Sequence, residues 1–298
     1  MKTTITRRDL LKTAALALGG TVMLNRPLSA WGKTSEEKVT SKVVLIRDKA
    51  LFDKGERPDT EICSRMLDEA VCKLTGKKDP QQAWNSIISK DDILGIKSNV
   101  WNNFPTPPEM DQELKKRALL VGIPENNISI NDRSVLQDPV FQNSTALINI
   151  RPMRTHAWSG VGSLVKNYIT FAEDKQSYHP DSCANLAELH DLPIAKGKTR
   201  LHVLVMFTPL FHHNAAHHVS AEYTWKYNGL LVGFDPVAVD SVGLRIIQGK
   251  RNEYFQEDRP LNPPAKHIAL ADTQYHLGTS DPSKIELIKL GWDEDPFV

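Results

Sequence analysis

Short runs of apolar, β-branched residues alternate along this chain with segments of helical hydrophobic period, and that alternation restricts the fold more than any other feature. Residues 43–46 (VVLI), 93–96 (ILGI), 128–130 (ISI), 146–150 (ALINI), 201–206 (LHVLVM), 230–234 and 284–290 each read as a strand. Between them, residues 59–74 carry Ile62, Met66, Leu67, Ala70, Val71 and Leu74 at helical spacing, and Gly76 supplies a stop. Thr106 ahead of Pro107-Pro108 predicts a helix start, with Val121 near the end and Gly122 closing it. Asp235-Pro236 opens another helix, expected to run through Ile247 and stop at Gly249, and a last helix covers about 264–275. This order predicts an α/β fold, a mainly parallel sheet with helices on both faces. No repeat, low-complexity tract or long linker interrupts residues 35–298, which are expected to form a single domain, possibly two-lobed.

The N-terminus has a different character. Thr6-Arg7-Arg8-Asp9-Leu10-Leu11-Lys12 fits the twin-arginine export pattern S/T-R-R-x-hydrophobic-Leu-Lys. The apolar stretch that follows, 13–24, would rise roughly 18 Å as a helix, short of a ~30 Å hydrocarbon core. Small residues then lead to a plausible cleavage point after Ala30, and residues 31–41 are polar. Residues 1–34 are therefore expected to be a Tat signal peptide and linker outside the fold. The expectations that follow are a periplasmic or extracellular destination, the Tat translocase as partner during export, and no stable membrane anchor. Tat carries cargo that is already folded, which favours a metal or organic cofactor inserted beforehand.

Charge narrows the partners. The chain holds 37 Lys+Arg and 36 Asp+Glu, a formal charge of +1. Residues 1–30 account for five of the basic groups and one acidic group, so the remainder is mildly acidic. No basic excess is left to attract nucleic acid. Three scattered cysteines, Cys63, Cys72 and Cys183, cannot supply a four-cysteine iron–sulfur cluster. Cys63 and Cys72, nine residues apart on one predicted helix, stand too far apart to bridge. No G-x-S-x-G, P-loop, G-x-G-x-x-G or H-E-x-x-H is present, which removes support for serine hydrolase, nucleotidase, dinucleotide dehydrogenase and zincin chemistry.

Four segments, in order, resemble the bacterial family known only as domain of unknown function 362. They are Gly95-Ile96-Lys97-Ser98-Asn99, residues 147–167 from Leu147-Ile148-Asn149 to Val165-Lys166-Asn167, Val232-Gly233-Phe234-Asp235-Pro236-Val237-Ala238-Val239-Asp240, and the region around Gly278-Thr279-Ser280-Asp281-Pro282. Ser98 stands where the family usually has Pro, and Arg151 and Arg154 where Pro or Val and Lys are commoner. Some relatives add a ferredoxin-like module, which this chain lacks. A more distant similarity is to the nickel-pincer lactate racemases, through the spacing H-x3-G-x5-K of His156, Gly160 and Lys166. That resemblance implies an acid/base His156 and a Lys166 attached to the cofactor. The racemases place a metal-ligating His sixteen residues after the Lys, where this chain has Ser182, with His179 and Cys183 beside it.

Other residues suggest chemistry by type and position. A buried Lys loses affinity for its proton and becomes a nucleophile or base at neutral pH, which suits Lys166 beside His156. His212, His213, His217 and His218 crowd into seven positions after a strand. As a helix they would pair His213 with His217 for a divalent transition metal such as Ni or Zn, and as a loop all four could converge. A third ligand would come from His156, Asp235 or Asp240. A solvated polar loop is the plainer alternative. Lys97 and Asn99, after a strand, and Asp235 and Asp240 are expected to bind a cofactor or anionic ligand. Asp235 also fits ordinary helix capping. His202, inside an apolar strand, is expected to be a satisfied core residue. These groups are expected to meet at one sheet edge, beyond the strand C-termini. Two functions follow. One is an exported, metal- or cofactor-dependent enzyme doing acid/base chemistry on a small metabolite, and the other a non-catalytic metal- or cofactor-binding accessory protein of the cell envelope.

Overall fold

A computed structural model of the protein describes residues 41–101, 103–213 and 219–298. The apolar runs form strands β1 (Ser41–Arg47), β2 (Leu94–Lys97), β3 (Ile128–Asn131), β4 (Ala146–His156), β5 (Gly160–Gly162), β6 (Thr199–Leu210), β7 (Gly229–Gly233) and β8 (Ile285–Gly291). They join one sheet in the order β3-β2-β4-β6-β7-β1-β8, with β5 paired to β4 outside that path. Neighbours β3 and β2, β2 and β4, β4 and β6, and β1 and β8 are parallel. The chain is thus an α/β protein with a mostly parallel sheet, as the alternation of elements requires.

Side-chain alternation along the strands divides the core into two layers. Val44, Ile46, Ile96, Ile148 and Ile150 face the layer that includes helix Thr60–Thr75, through Met66, Leu67, Ala70 and Val71. Val43, Leu45, Leu147 and Leu231 face the opposite layer, with Val239, Val242 and Ile246 of helix Pro236–Phe255. Helix Thr60–Thr75 starts on Asp59, whose carboxylate accepts from the N–H groups of Glu61 and Ile62, and ends on a left-handed Gly76.

Four details depart from the sequence expectations. Strand β7 is antiparallel to both β6 and β1, with Gly233 opposite His202 and Val43. Its C-terminal end therefore opens on the edge opposite the ends of β2, β3, β4 and β6. Strand β4 does not stop at Ile150 but continues to His156 and turns back as β5. Helix Pro236–Phe255 passes through Gly249, whose bare surface seats Phe297, since a Cβ there would come within 2.8 Å of the Phe297 Cβ. Helix Pro108–Val121 begins after Pro107 without a side-chain cap. Thr106 instead accepts from the Asn99 N–H at 3.1 Å and returns its own N–H to the Asn99 carbonyl at 2.8 Å, tying down the loop after β2. Among the described residues no helix is long and apolar enough to cross a membrane. The twin-arginine segment lies outside the described residues.

Candidate functional site

The C-terminal ends of β2, β3 and β4 enclose a cavity of about 500 Å³, a size suited to a small molecule and placed where ligands bind in open α/β sheets. Its floor is a buried polar cluster. Lys97, the last residue of β2, is 0% exposed. Its Nζ donates to Asp132 at 2.6 Å and to the Ser98 carbonyl at 2.8 Å. Asn167 donates to the carbonyl oxygens of Lys97 and Ile150 and to the Asn149 side chain, so it ties β2 to β4. Burial pushes the Asp132 carboxyl up, but Lys97 and the Val100 N–H outweigh it and hold the group below its ordinary range. Burial lowers Lys97 to about 8 against the attraction of Asp132. Lys97 is thus occupied by its ion pair, whereas Asn99 lines the cavity itself.

The walls carry unpaired positive charge. Arg151 and Arg154 are 2% and 3% exposed. Arg151 donates to the carbonyls of Pro152 and Ser163, yet its Nη2 has no partner. Arg154 lies 5.5 Å from the Trp101 ring centre, with Nε and Nη1 both unpartnered. Burial lowers Arg151 to about 10 despite Asp240 and Asp132, and burial with repulsion from Arg151 lowers Arg154 to about 9. Both stay charged at neutral pH. A buried donor without an acceptor costs on the order of 1–3 kcal/mol, more when charged, so both guanidiniums are open to an acceptor in the space they face. Strict alternation would send residues 151 and 154 to opposite faces of β4. Both nevertheless line the one cavity, and the pairing of β4 with β6 is irregular between Pro152 and Arg154. Gly162 completes the wall, since a Cβ there would stand 2.4 Å from the Arg151 Nη2.

His156 and Lys166 share this cavity. His156 ends β4, opposite Gly160, whose φ of +73° and tight contact with the 263–265 backbone suit glycine alone. Its Nδ1 accepts from the Trp158 N–H at 3.1 Å. A neutral ring so held keeps its proton on Nε2. Burial, then the charges of Lys166, Arg154 and Arg151, push the imidazole far below its ordinary range, so it is neutral at pH 7. Lys166 sits in the short helix Leu164–Asn167, capped by Ser163, and is 4% exposed. Its Nζ lies 3.5 Å from Cys183 Sγ, and no carboxylate pairs with it among the described residues. Burial lowers it to about 8, Cys183 opposing and the two arginines assisting. Cys183 reaches this place through three consecutive left-handed residues, Asp181, Ser182 and Cys183, a conformation costing roughly 1–2 kcal/mol each outside glycine. Such strain concentrates at functional sites. His179 packs edge-on to Trp158 at 4.3 Å, also lining the cavity.

The expected convergence is only partial. Asn99, His156 and Lys166 meet, with Lys97 beneath them. Asp240 does not: it is 0% exposed and accepts from the Leu164 and Val165 N–H groups at 2.8 Å each, clamping the start of the Lys166 helix from behind. Asp235 does not either, because β7 is reversed. It caps helix Pro236–Phe255 through the Val237 and Ala238 N–H groups and receives Ser41 and Thr279 on the far edge. His212 and His213 line a second cavity of about 460 Å³ that shares His156 with the first. The His212 Nδ1 faces the Arg251 guanidinium at 3.2 Å, a poor setting for a metal ligand. His217 and His218 lie outside the described residues. Among the described residues no three His, Cys, Asp or Glu side chains are grouped to hold a metal ion. With Ser182 in the position of the racemase histidine, the described residues do not fit a pincer-held nickel. His202 is buried beside the Asn149 amide at 3.3 Å. Arg151, Arg154, Asp132, Trp101 and Trp158 were not singled out as site residues. The two arginines stood out only as departures from a motif, and simple strand alternation would have separated them.

An α/β protein with an arginine-walled cavity at its parallel strand ends is the class that fold and geometry define. Residues 114–245 match the family described as Domain of unknown function (DUF362), the family that the ordered motifs resemble. The matched span includes Asp132, Arg151, Arg154, His156 and Lys166. No curated protein and no solved structure gives a significant match.

Proposed function

We propose that this protein is an exported enzyme that binds a small anionic metabolite between Arg151 and Arg154 and moves protons on it with His156 and Lys166. The observation that carries this reading is the pair of buried guanidiniums with unpartnered N–H groups beside an unpaired, buried lysine. The ligand's carboxylate or phosphate supplies the missing acceptors, and charge-assisted bonds of this kind are the strong ones. The roles of acid and base follow from the environments. His156, neutral with its proton on Nε2, donates. Lys166, near 8, has a neutral fraction at pH 7–8 that accepts. Trp101 and Trp158 flank the opening with apolar surface. The twin-arginine pattern of residues 6–12 supports export of the folded chain.

The test is a binding survey by calorimetry with small mono- and dicarboxylates and inorganic phosphate, on the intact chain and on Arg154→Gln. Binding in the micromolar to millimolar range, weakened about 10- to 100-fold by Arg154→Gln, is expected from the loss of a charged hydrogen bond worth about 1.5–3 kcal/mol. Failure of every anion to bind, or binding indifferent to Arg154, sinks the reading.

A further inference from the structure

Lys166 differs from the other lysines around the cavity. Lys97 is held by Asp132, the Ser98 carbonyl and Asn167, so its amine has no freedom to react. Lys175 is exposed. Lys166 lies in the cavity wall with a thiol as its hydrogen-bond partner, and its Nζ can turn from Cys183 toward the ligand without breaking an ion pair. Two guanidiniums beside it suit a carboxylate. A donor imidazole, His156, lines the same space. An amine, a carboxylate clamp and a proton donor are the three groups that imine formation with a 2-oxo acid requires.

We propose that Lys166 is a nucleophile that condenses with the carbonyl of a 2-oxo acid whose carboxylate is held by Arg151 and Arg154. This rests on the anion-binding reading above and specifies the substrate class. The neutral amine adds its lone pair to the carbonyl carbon, forming a C–N bond, while the carbonyl oxygen takes the proton of His156 Nε2–H. The adduct nitrogen returns one proton to the imidazole, the hydroxyl takes that proton and leaves as water while the C=N bond forms, and the resulting iminium gives its remaining proton to the ring, restoring His156 Nε2–H. The balance is one amine and one ketone giving one imine and one water, with no oxidant or reductant. The lowered proton affinity of Lys166, near 8, keeps the amine available close to neutrality. The imine nitrogen, once protonated, acts as an electron sink for the carbon next to the former carbonyl.

The experiment incubates the full chain with pyruvate, reduces with cyanoborohydride, and reads intact mass and tryptic peptides. The expected result is one reduced pyruvyl unit on Lys166, absent without pyruvate and absent in Lys166→Arg, which keeps the positive charge and has no reactive amine. Calorimetry with pyruvate on the same samples separates the two claims. Pyruvate binding without a label on Lys166 overturns the imine and leaves the anion site standing. No binding of pyruvate, with other anions bound, also overturns this substrate class. Absence of all anion binding removes both. Labelling spread over surface lysines, and unchanged in Lys166→Arg, counts against the proposal. A circular dichroism spectrum of Lys166→Arg matching the parent shows that its lost label is not a loss of fold.

Discussion

The Arg154 side chain has unpartnered Nε and Nη1 atoms and lies 5.5 Å from the Trp101 ring centre. Such a group weakens the empty protein and strengthens the liganded one. Arg154→Gln is therefore expected to raise the unfolding free energy of the ligand-free protein by about 1 kcal/mol or more, while it weakens anion binding. Chemical denaturation with and without anion measures both effects, and a loss of stability in the ligand-free protein would contradict the assignment. Lys166 makes a parallel case with a pH signature. Its folded value near 8 lies below the unfolded value of about 10.4. Between those values the unfolded chain binds more protons, so stability rises with pH across roughly 8 to 10, and below 8 the full penalty remains. Lys166→Met is expected to add on the order of 1–3 kcal/mol at pH 7 and to remove the lysine's contribution to that rise. Denaturation curves at pH 7 and pH 10 check it, and an unchanged slope in the variant would show that Lys166 titrates normally.

At the scale of elements, the site depends on two pieces that local sequence describes badly. The helix Leu164–Asn167 is four residues long, too short to stand alone, and Asp240 holds its first N–H groups from behind. Asp240→Ala leaves two buried donors unpaired and is expected to cost about 2–4 kcal/mol. Loss of anion binding should accompany it, since Lys166 and Asn167 sit on that helix. Thermal unfolding and calorimetry would detect both, and a change below 1 kcal/mol would mean that the clamp is dispensable. The β4–β5 hairpin is the second piece. Gly162→Ala is expected to displace the Arg151 guanidinium and reduce anion affinity severalfold with a smaller effect on stability, because the crowded atom is the far end of a side chain. Strands β1, β2, β3 and β6 and helix Thr60–Thr75 were legible from periodicity and caps, since both are local properties. The direction of β7 was not legible, because pairing sense is set by partners distant in sequence, and with it went the placement of Asp235. The grouping of Arg151 with Arg154 stayed hidden too, because simple strand alternation would have separated them. The closeness of His156 and Lys166 in one cavity was legible because their spacing lies within one hairpin and the turn that follows it.

At the scale of the whole molecule, the described residues form a single-sheet fold whose parallel strands β3, β2 and β4 end at one cavity, while the reversed β7 and its cap Asp235 belong to the other edge. Export as a folded unit would deliver that cavity already assembled. Changing Arg7 and Arg8 together to Lys is expected to trap the protein in the cytoplasm, because the translocase reads guanidinium geometry beyond charge. Fractionation and immunoblotting would show it, and normal export of the double variant would contradict the Tat assignment. The central claim is that an anion binds beside a lysine with reduced proton affinity. Calorimetry of anion binding at pH 8, repeated in buffers of different ionisation enthalpy, tests it most directly. An anion next to Lys166 restores its proton affinity, so binding should draw up to about half a proton from the buffer, and none in Lys166→Met. Binding with no proton uptake, or with the same uptake in Lys166→Met, would contradict the account.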